Sequence, residues 1–340
     1  MELDARKRKI LEAVIVDYIS TAEPVGSRTI SKKYELGVSP ATVRNEMADL
    51  EELGLLEQPH TSAGRIPSDL GYRYYVDCLM RKVAIEDKLK DTIRESFGVK
   101  AKQIEDIIKH TSKTLSTMTN YTSLVIAPKA GSNSLQMIQL IFIEPGKALI
   151  VIITDGGRVE NKFIEIPQSV TKEDLDIVSM CLNQKLKGLT LEDWDKNILK
   201  ELQLNLIKQQ KVYTKAIDLL DSILNTHTEN KIYLGGALNI LNQPEFMDVD
   251  KARSLLTLLE QEEELNKVMK NNLEEGVAVK IGTENDCEGI KDCSLITATY
   301  KLNGNVMGTI GVLGPTRMQY SHVVSIVDYL TQVLSRLILK

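Results

Sequence analysis

The sequence predicts an α+β chain of more than one domain, and three observations predict it. Apolar residues recur at helical spacing as far as Gly54 and then meet a short Gly-tipped hairpin; from Tyr121 the period becomes that of strands; and a polar, helix-rich stretch separates two groups of strands. A length of 340 residues with 43% hydrophobic residues is enough for two or three domains with their own cores. No window holds the roughly 18 uninterrupted apolar residues that span a bilayer, and no signal-type apolar run follows the charged start at Met1–Ile10. No membrane association is expected, and a cytoplasmic location is. Cys78, Cys181, Cys287 and Cys293 have the spacing of neither a zinc site nor a disulfide framework, which suits free thiols in a reducing compartment.

The first helix is predicted over Leu3–Ser20, where Ile10, Leu11, Val14, Ile15, Tyr18 and Ile19 recur at three- and four-residue steps. Its polar start carries Arg6, Lys7, Arg8 and Lys9, a run suited to a phosphate backbone or to plain solvation. Ala22-Glu23-Pro24-Val25-Gly26 breaks the helix, and Ser27 stands where it would cap a short second one that turns Ile30 and Tyr34 inward. Gly37 suits the end of that helix, since a residue without Cβ turns left-handed at little cost. Only Glu35–Val38 leads to the third helix, which Ser39-Pro40 starts: the hydroxyl caps free N–H groups, and proline at the first position forfeits no hydrogen bond. This helix is predicted to bury Val43, Met47, Leu50 and Leu53, to expose Ala41, Thr42, Arg44, Asn45 and Ala48, and to stop at Gly54. Leu55–Glu57 and Arg65–Pro67 read as a short hairpin with its tip from Gln58 to Gly64.

Two helices joined by so short a turn are a helix-turn-helix candidate, and the hairpin supplies a wing. A winged helix-turn-helix that reads double-stranded DNA is therefore expected. Arg44 can grip guanine, Asn45 can pair with adenine, and Ala41 and Thr42 leave room for a thymine methyl. Arg28, Ser39, Thr61, Ser62 and Arg65 complete the DNA-binding candidates, the last three on the wing, where hydroxyl and guanidinium groups would meet phosphates or a minor groove. The chain's net charge is −5, and its first 80 residues hold 10 Lys and Arg against 13 Asp and Glu. Any DNA footprint must come from where charges sit, not from their total. Asp49, Glu51 and Glu52 lie in the C-terminal half of the third helix, which swings away from the duplex in this docking mode. The competing reading is a plain three-helix packing unit with a surface hairpin that holds a partner protein; the order of the elements favours DNA.

Ser68–Met80 is predicted to be a helix whose Tyr72, Tyr74 and Tyr75 pack against the head, because a duplex offers them no unstacked base. Ile85, Leu89, Ile93 and Phe97, then Ile104, Ile107, Ile108, Leu115 and Met118, mark connecting helices over residues 81–120. Leu135–Ile143, Ala148–Thr154 and Val159–Ile166 read as an antiparallel meander, with turns at Glu144-Pro145-Gly146-Lys147 and Asp155-Gly156-Gly157. Lys231–Leu234, Val277–Ile281, Ser294–Lys301 and Val306–Leu313 are further strands, the last two joined at Asn303-Gly304. Helices are expected over Asp250–Lys270 and Tyr320–Leu339. Between the strand groups, Thr171 with Asp174 and Thr190 with Asp193 read as capping boxes, and Leu175, Val178, Leu182, Leu186 and Ala216, Leu219, Leu220, Ile223 form apolar stripes.

Val25-Gly26-Ser27-Arg28-Thr29-Ile30, Ser39-Pro40-Ala41-Thr42-Val43-Arg44-Asn45-Glu46-Met47 and His60-Thr61-Ser62-Ala63-Gly64-Arg65-Ile66-Pro67 resemble the heat-inducible transcription repressor family, HrcA, as do Tyr233-Leu234-Gly235-Gly236 and Gly308–Pro315. The resemblance implies a homodimer that binds an inverted-repeat operator upstream of chaperone operons, represses them, and is favoured in its active form by the chaperonin. It also implies a winged-helix domain at residues 1–80, a GAF-like domain at 121–167 and 230–340, and an inserted dimerisation domain at 168–229.

Enzymatic function is not expected. Gly235-Gly236 and Asp155-Gly156-Gly157 lack the spacing of a phosphate loop, and His60, His110, His227 and His322 are dispersed, with no nucleophile elbow nearby. No cofactor or metal is expected. A second possibility of another class is a ligand-sensing regulator whose GAF-like domain binds a small molecule, although no convergent polar cluster marks a pocket.

Overall fold

The computed structural model describes residues 3–34, 36–60, 64–97, 104–127, 134–154, 159–189, 231–270, 276–302 and 305–337. The chain divides into two compact units, residues 1–126 with 232–340 and residues 127–231. Among the described residues no helix is long and apolar enough to cross a membrane.

The head begins with α1 (Ala5–Thr21), capped by the Asp4 carboxylate, which accepts from the Arg6 and Lys7 N–H groups at 2.9 and 2.8 Å. α2 (Ser27–Lys33) follows. Its cap position falls to Gly26, because Ser27, the expected cap, is already the first helical residue. α3 (Pro40–Glu52) starts as its sequence requires, with Ser39 Oγ accepting from Thr42 N–H at 3.1 Å, and Gly37 in the preceding turn takes φ +68°. Val43, Met47 and Leu50 are buried where α3 packs on α1 and α2. Leu53 departs from the expected stripe and is 41% exposed, because it caps the helix one residue past its last turn.

An ion pair joins α1 to α2: the exposed Lys33 Nζ lies 2.5 Å from Oδ1 of the buried Asp17, and the Tyr34 hydroxyl donates to the same oxygen at 3.3 Å. β1 (Leu56–Glu57) and β2 (Ile66–Pro67) form the antiparallel hairpin, and Arg65 exchanges two 2.9 Å backbone bonds with Val25. A Cβ on Gly64 would lie 2.4 Å from the Val25 carbonyl oxygen, so this close approach needs glycine. α4 (Asp69–Tyr74), capped by Ser68, runs into a π-helical turn at Tyr75–Leu79 and buries Tyr72 and Tyr75. After residues 80–86, which have no regular structure, comes α5 (Asp87–Phe97).

α6 (Ile104–Thr119) is more than a connector, contrary to the expectation for residues 81–120. It lies against the sheet strand that follows it, β3 (Thr122–Ile126), with Ile108 and Leu115 fully buried and Ser123 Oγ donating to the Ser112 carbonyl at 2.6 Å.

The chain then enters the second unit. β4 (Leu135–Glu144), β5 (Lys147–Thr154) and β6 (Val159–Glu165) form a separate three-stranded meander, sealed on one face by α7 (Lys172–Leu186). This corrects the expected boundaries: the insertion is residues 127–231, not 168–229, and the meander belongs to it and not to the larger sheet. The reason is burial. Ile138, Leu140, Ile150, Ile152 and Ile164 share one core with Leu175, Val178, Leu182 and Leu186. Ser179 and Asn183 also satisfy the edge of β4, with the Leu140 N–H donating to Ser179 Oγ and the Ile138 N–H to Asn183 Oδ1, both at 2.9 Å. The Thr171–Asp174 capping box is present at the start of α7. Thr61, Ser62, the turns at 155–157 and 303–304, the Thr190–Asp193 box and the Ala216–Ile223 stripe lie outside the described residues.

Back in the first unit, β7 (Ile232–Gly235), β8 (Val277–Ile281), β9 (Cys293–Leu302) and β10 (Asn305–Pro315) complete an antiparallel sheet in the order β7-β3-β10-β9-β8. The helix expected over Asp250–Lys270 is two, α8 (Val249–Glu260) and α9 (Glu262–Lys270). The break at Gln261 places Glu262, Glu263 and Glu264 at a helix N-terminus, where the dipole favours them. α8 and α9 bury Leu255, Leu258, Leu259, Leu265 and Met269 with Leu124, Leu295 and Leu313. α10 (Tyr320–Leu337) packs on α6 and β9. Burial beside Asp292 pushes the Cys293 thiol up to about 12, which marks it as a core residue.

Head and sheet body meet within this unit. Arg73 on α4 donates from Nε to Glu284 Oε1 at 2.8 Å, from Nη2 to the other Glu284 oxygen, and from Nη2 to the Val279 carbonyl at 2.5 Å. Asp69 accepts from the Thr283 N–H and hydroxyl at 2.9 and 3.0 Å. Arg317, between β10 and α10, donates to the Ile19 carbonyl at 2.7 Å and to Glu245 at 2.6 Å. The Tyr72 and Tyr320 rings lie 5.7 Å apart. Burial raises the Glu284 pKa, but the bonds from Arg73 and the Ile281 N–H outweigh it and hold the carboxyl below its ordinary 4.5. A carboxyl depressed in the folded state stabilises above its unfolded pKa and loses that contribution as pH falls through the folded value. Glu284→Gln should therefore lower the melting temperature at about pH 7, and the difference from the parent chain should shrink as pH falls below the ordinary carboxyl value, as thermal melts across that range would read.

Candidate nucleic-acid interface

α3 owes its orientation to its apolar stripe. With Val43, Met47 and Leu50 turned inward, Ala41, Arg44 and Asn45 are exposed and Thr42 and Ala48 half-buried on the opposite side. Ser39 is exposed, with its hydroxyl engaged as the helix cap and 2.9 Å from the Thr42 hydroxyl. Arg28 is exposed on α2, and the Ser31 hydroxyl ties that helix to the Val38 carbonyl at 3.0 Å, which sets the turn before α3. Arg28, Arg44 and Asn45 make no side-chain hydrogen bond or ion pair among the described residues. The expected groove face is thus on the surface.

The charges around that face are arranged in a way that residue order did not reveal. Lys7 Nζ lies 2.9 Å from Glu46 Oε2 and 2.9 Å from Asp49 Oδ2, and Arg6 reaches Glu46 at 3.4 Å. These bonds to α3 carboxylates hold the Lys7 pKa above its ordinary value. Arg65, expected to be free on the wing, pairs with Glu51 at 2.7 Å and its side chain is only 19% exposed. Sequence reasoning missed both roles, because the partners lie far along the chain and no local spacing links them. The consequence is electrostatic: three carboxylates of α3 are matched by cations from α1 and the hairpin, while Arg28 and Arg44 stay available to an anionic partner.

The family model described as HrcA protein C terminal domain matches residues 105–324. The heat-inducible transcription repressor HrcA of Desulfitobacterium hafniense is 48% identical over 99% of this chain and 98% of its own. The chain belongs to the HrcA family. The same-named repressor of Pelotomaculum thermopropionicum is likewise 48% identical, over 99% of this chain and 97% of its own. A crystal structure of a hypothetical protein shares the fold, with a TM-score of 0.64 at 22% identity over 99% of both chains. The HrcA family model leaves residues 1–104, with α1–α5 and the hairpin, outside its match, so the full-length relatives carry the family assignment into the head. The family is one of transcription repressors, not of enzymes.

The Lys7 ammonium is paired with two α3 carboxylates, which points to a role in holding α3. Lys7→Ala should weaken DNA binding and yet leave the slope of log affinity against log salt unchanged, whereas loss of a phosphate contact would lower that slope by about one. A salt titration of the variant separates the two.

Proposed function

We propose that this chain is a DNA-binding transcriptional repressor of heat-shock operons that binds an inverted-repeat operator as a homodimer in the cytoplasm, with the chaperonin favouring its active form. In this reading α1–α3 with the β1–β2 hairpin are a winged helix-turn-helix, the five-stranded body is GAF-like, and residues 127–231 are the dimerisation insert. The observation that carries it is the open Arg44–Asn45 face on a Ser-Pro-started helix, held forward by a buried stripe. The names of the full-length relatives favour this over a ligand-sensing regulator.

Arg44→Ala and Asn45→Ala should each cost about 1 to 3 kcal/mol on a specific site and relax the base preference there, while Arg28→Ala should weaken all sequences alike and lower the salt slope by about one. Gel shifts on a selected site and on random duplex test this: equal losses on both duplexes for Arg44→Ala would remove it as a base reader.

The dimerisation reading is supported by the insert's meander. On the face away from α7, Met137, Ile141, Val159 and Phe163 are exposed, Phe163 by 66%, and the strand register places them together. Phe163→Glu should shift the chain from dimer to monomer in sedimentation while circular dichroism stays that of the folded parent, since the side chain lies outside the core. A variant that stayed dimeric would place the subunit contact elsewhere.

A further inference from the structure

Residues 80–86 are the covalent link from the head to the body, and they form neither helix nor strand and are mostly exposed. Such a link sets a maximum reach and no orientation. Orientation comes instead from the noncovalent contacts made by two arginines, one on each side of the seam. Arg73 carries the head's side, with its fork on the Glu284 carboxylate and the Val279 carbonyl. Arg317 carries the body's side, donating to the carbonyl of Ile19 in the last turn of α1, where unpaired carbonyls and the negative end of the helix favour a cation. Glu245 holds that guanidinium in place from its other edge.

A third point of contact depends on a missing side chain. Gly282 takes φ +52°, and a Cβ there would lie 2.1 Å from the Asp69 carboxylate that binds Thr283. Between these points Tyr72 and Tyr320 are both fully buried, and the Tyr320 hydroxyl lies 2.7 Å from Ser294 Oγ. The contacts come from both ends of the head, the close of α1 and the start of α4, so together they resist rotation as well as separation.

We propose that Arg73 and Arg317 are positioning residues for operator binding: they hold the head on the sheet body in one orientation, so that a dimer presents two α3 faces at the separation an inverted repeat requires. This rests on the repressor reading above. Once one head occupies a half-site, the second binding event is intramolecular, and its effective concentration depends on how narrowly the second head is held near its target. A head swinging on residues 80–86 alone would contact each half-site as well as before and would lose the gain from contacting both.

The test uses the full chain and two duplexes: one that the unaltered protein selects from a random pool, and the same duplex with one half-site scrambled. Glu284→Gln, Arg317→Met and Gly282→Ala are compared after circular dichroism confirms folding; the first and third remain informative if Arg317→Met fails to fold. Each variant should bind the single half-site as the parent does and lose about tenfold or more on the complete site. Complete-site affinity within about twofold of the parent, or parallel losses on both duplexes, overturns the proposal. If the unaltered protein selects no duplex, it is the repressor reading that falls, a result distinct from any difference among the variants.

Discussion

The direction in which α3 faces depends on three side chains. Val43, Met47 and Leu50 are excluded from water on one side of a 13-residue helix, and the helix has no second apolar stripe to offer. Once they are buried, Arg44 and Asn45 must point outward, and the short turn held by Ser31 and Gly37 sets the end from which the helix approaches a partner. The chemistry of the exposed face is thus a consequence of apolar burial and needs no separate stabilisation of its own.

Burial fixes the face, and charge pairing makes it usable. α3 carries Glu46, Asp49 and Glu51 on the same helix as Arg44 and Asn45, and unpaired they would add to the negative potential around it. Lys7, Arg6 and Arg65 bind them. These cations are engaged by carboxylates, although by composition and position they looked like phosphate ligands. The acidic balance of the head thus includes carboxylates already matched by cations, while Arg28 and Arg44 remain exposed positive groups.

The insertion illustrates a different constraint. β3 finds its neighbours β7 and β10 only after more than a hundred intervening residues, while β4, β5 and β6 pair in sequence order and share a core with α7. Local pairing costs less chain entropy, so a meander with its own covering helix can close as a separate unit inside a longer-range sheet. Hydrophobic period alone does not say which sheet a strand joins, and the boundary expected near residue 168 lay about forty residues too late for that reason.

Much of the fold was legible from residue order because it is set by local physics. The Ser39-Pro40 start, the left-handed Gly37, the Thr171–Asp174 box, the meander and the β9–β10 pair all follow from hydrogen bonds or periodicities within a few residues. The exposed Arg44 and Asn45 were legible too, since helical period assigns a face. Tertiary structure alone decided the rest: the pairing of Lys7 with Glu46, of Arg65 with Glu51, and of Arg73 with Glu284 across 211 positions. An ion pair has no period, and the same lysine or arginine suits a phosphate, a carboxylate or water. Which of these it meets depends on what folding brings within about 3 Å of it.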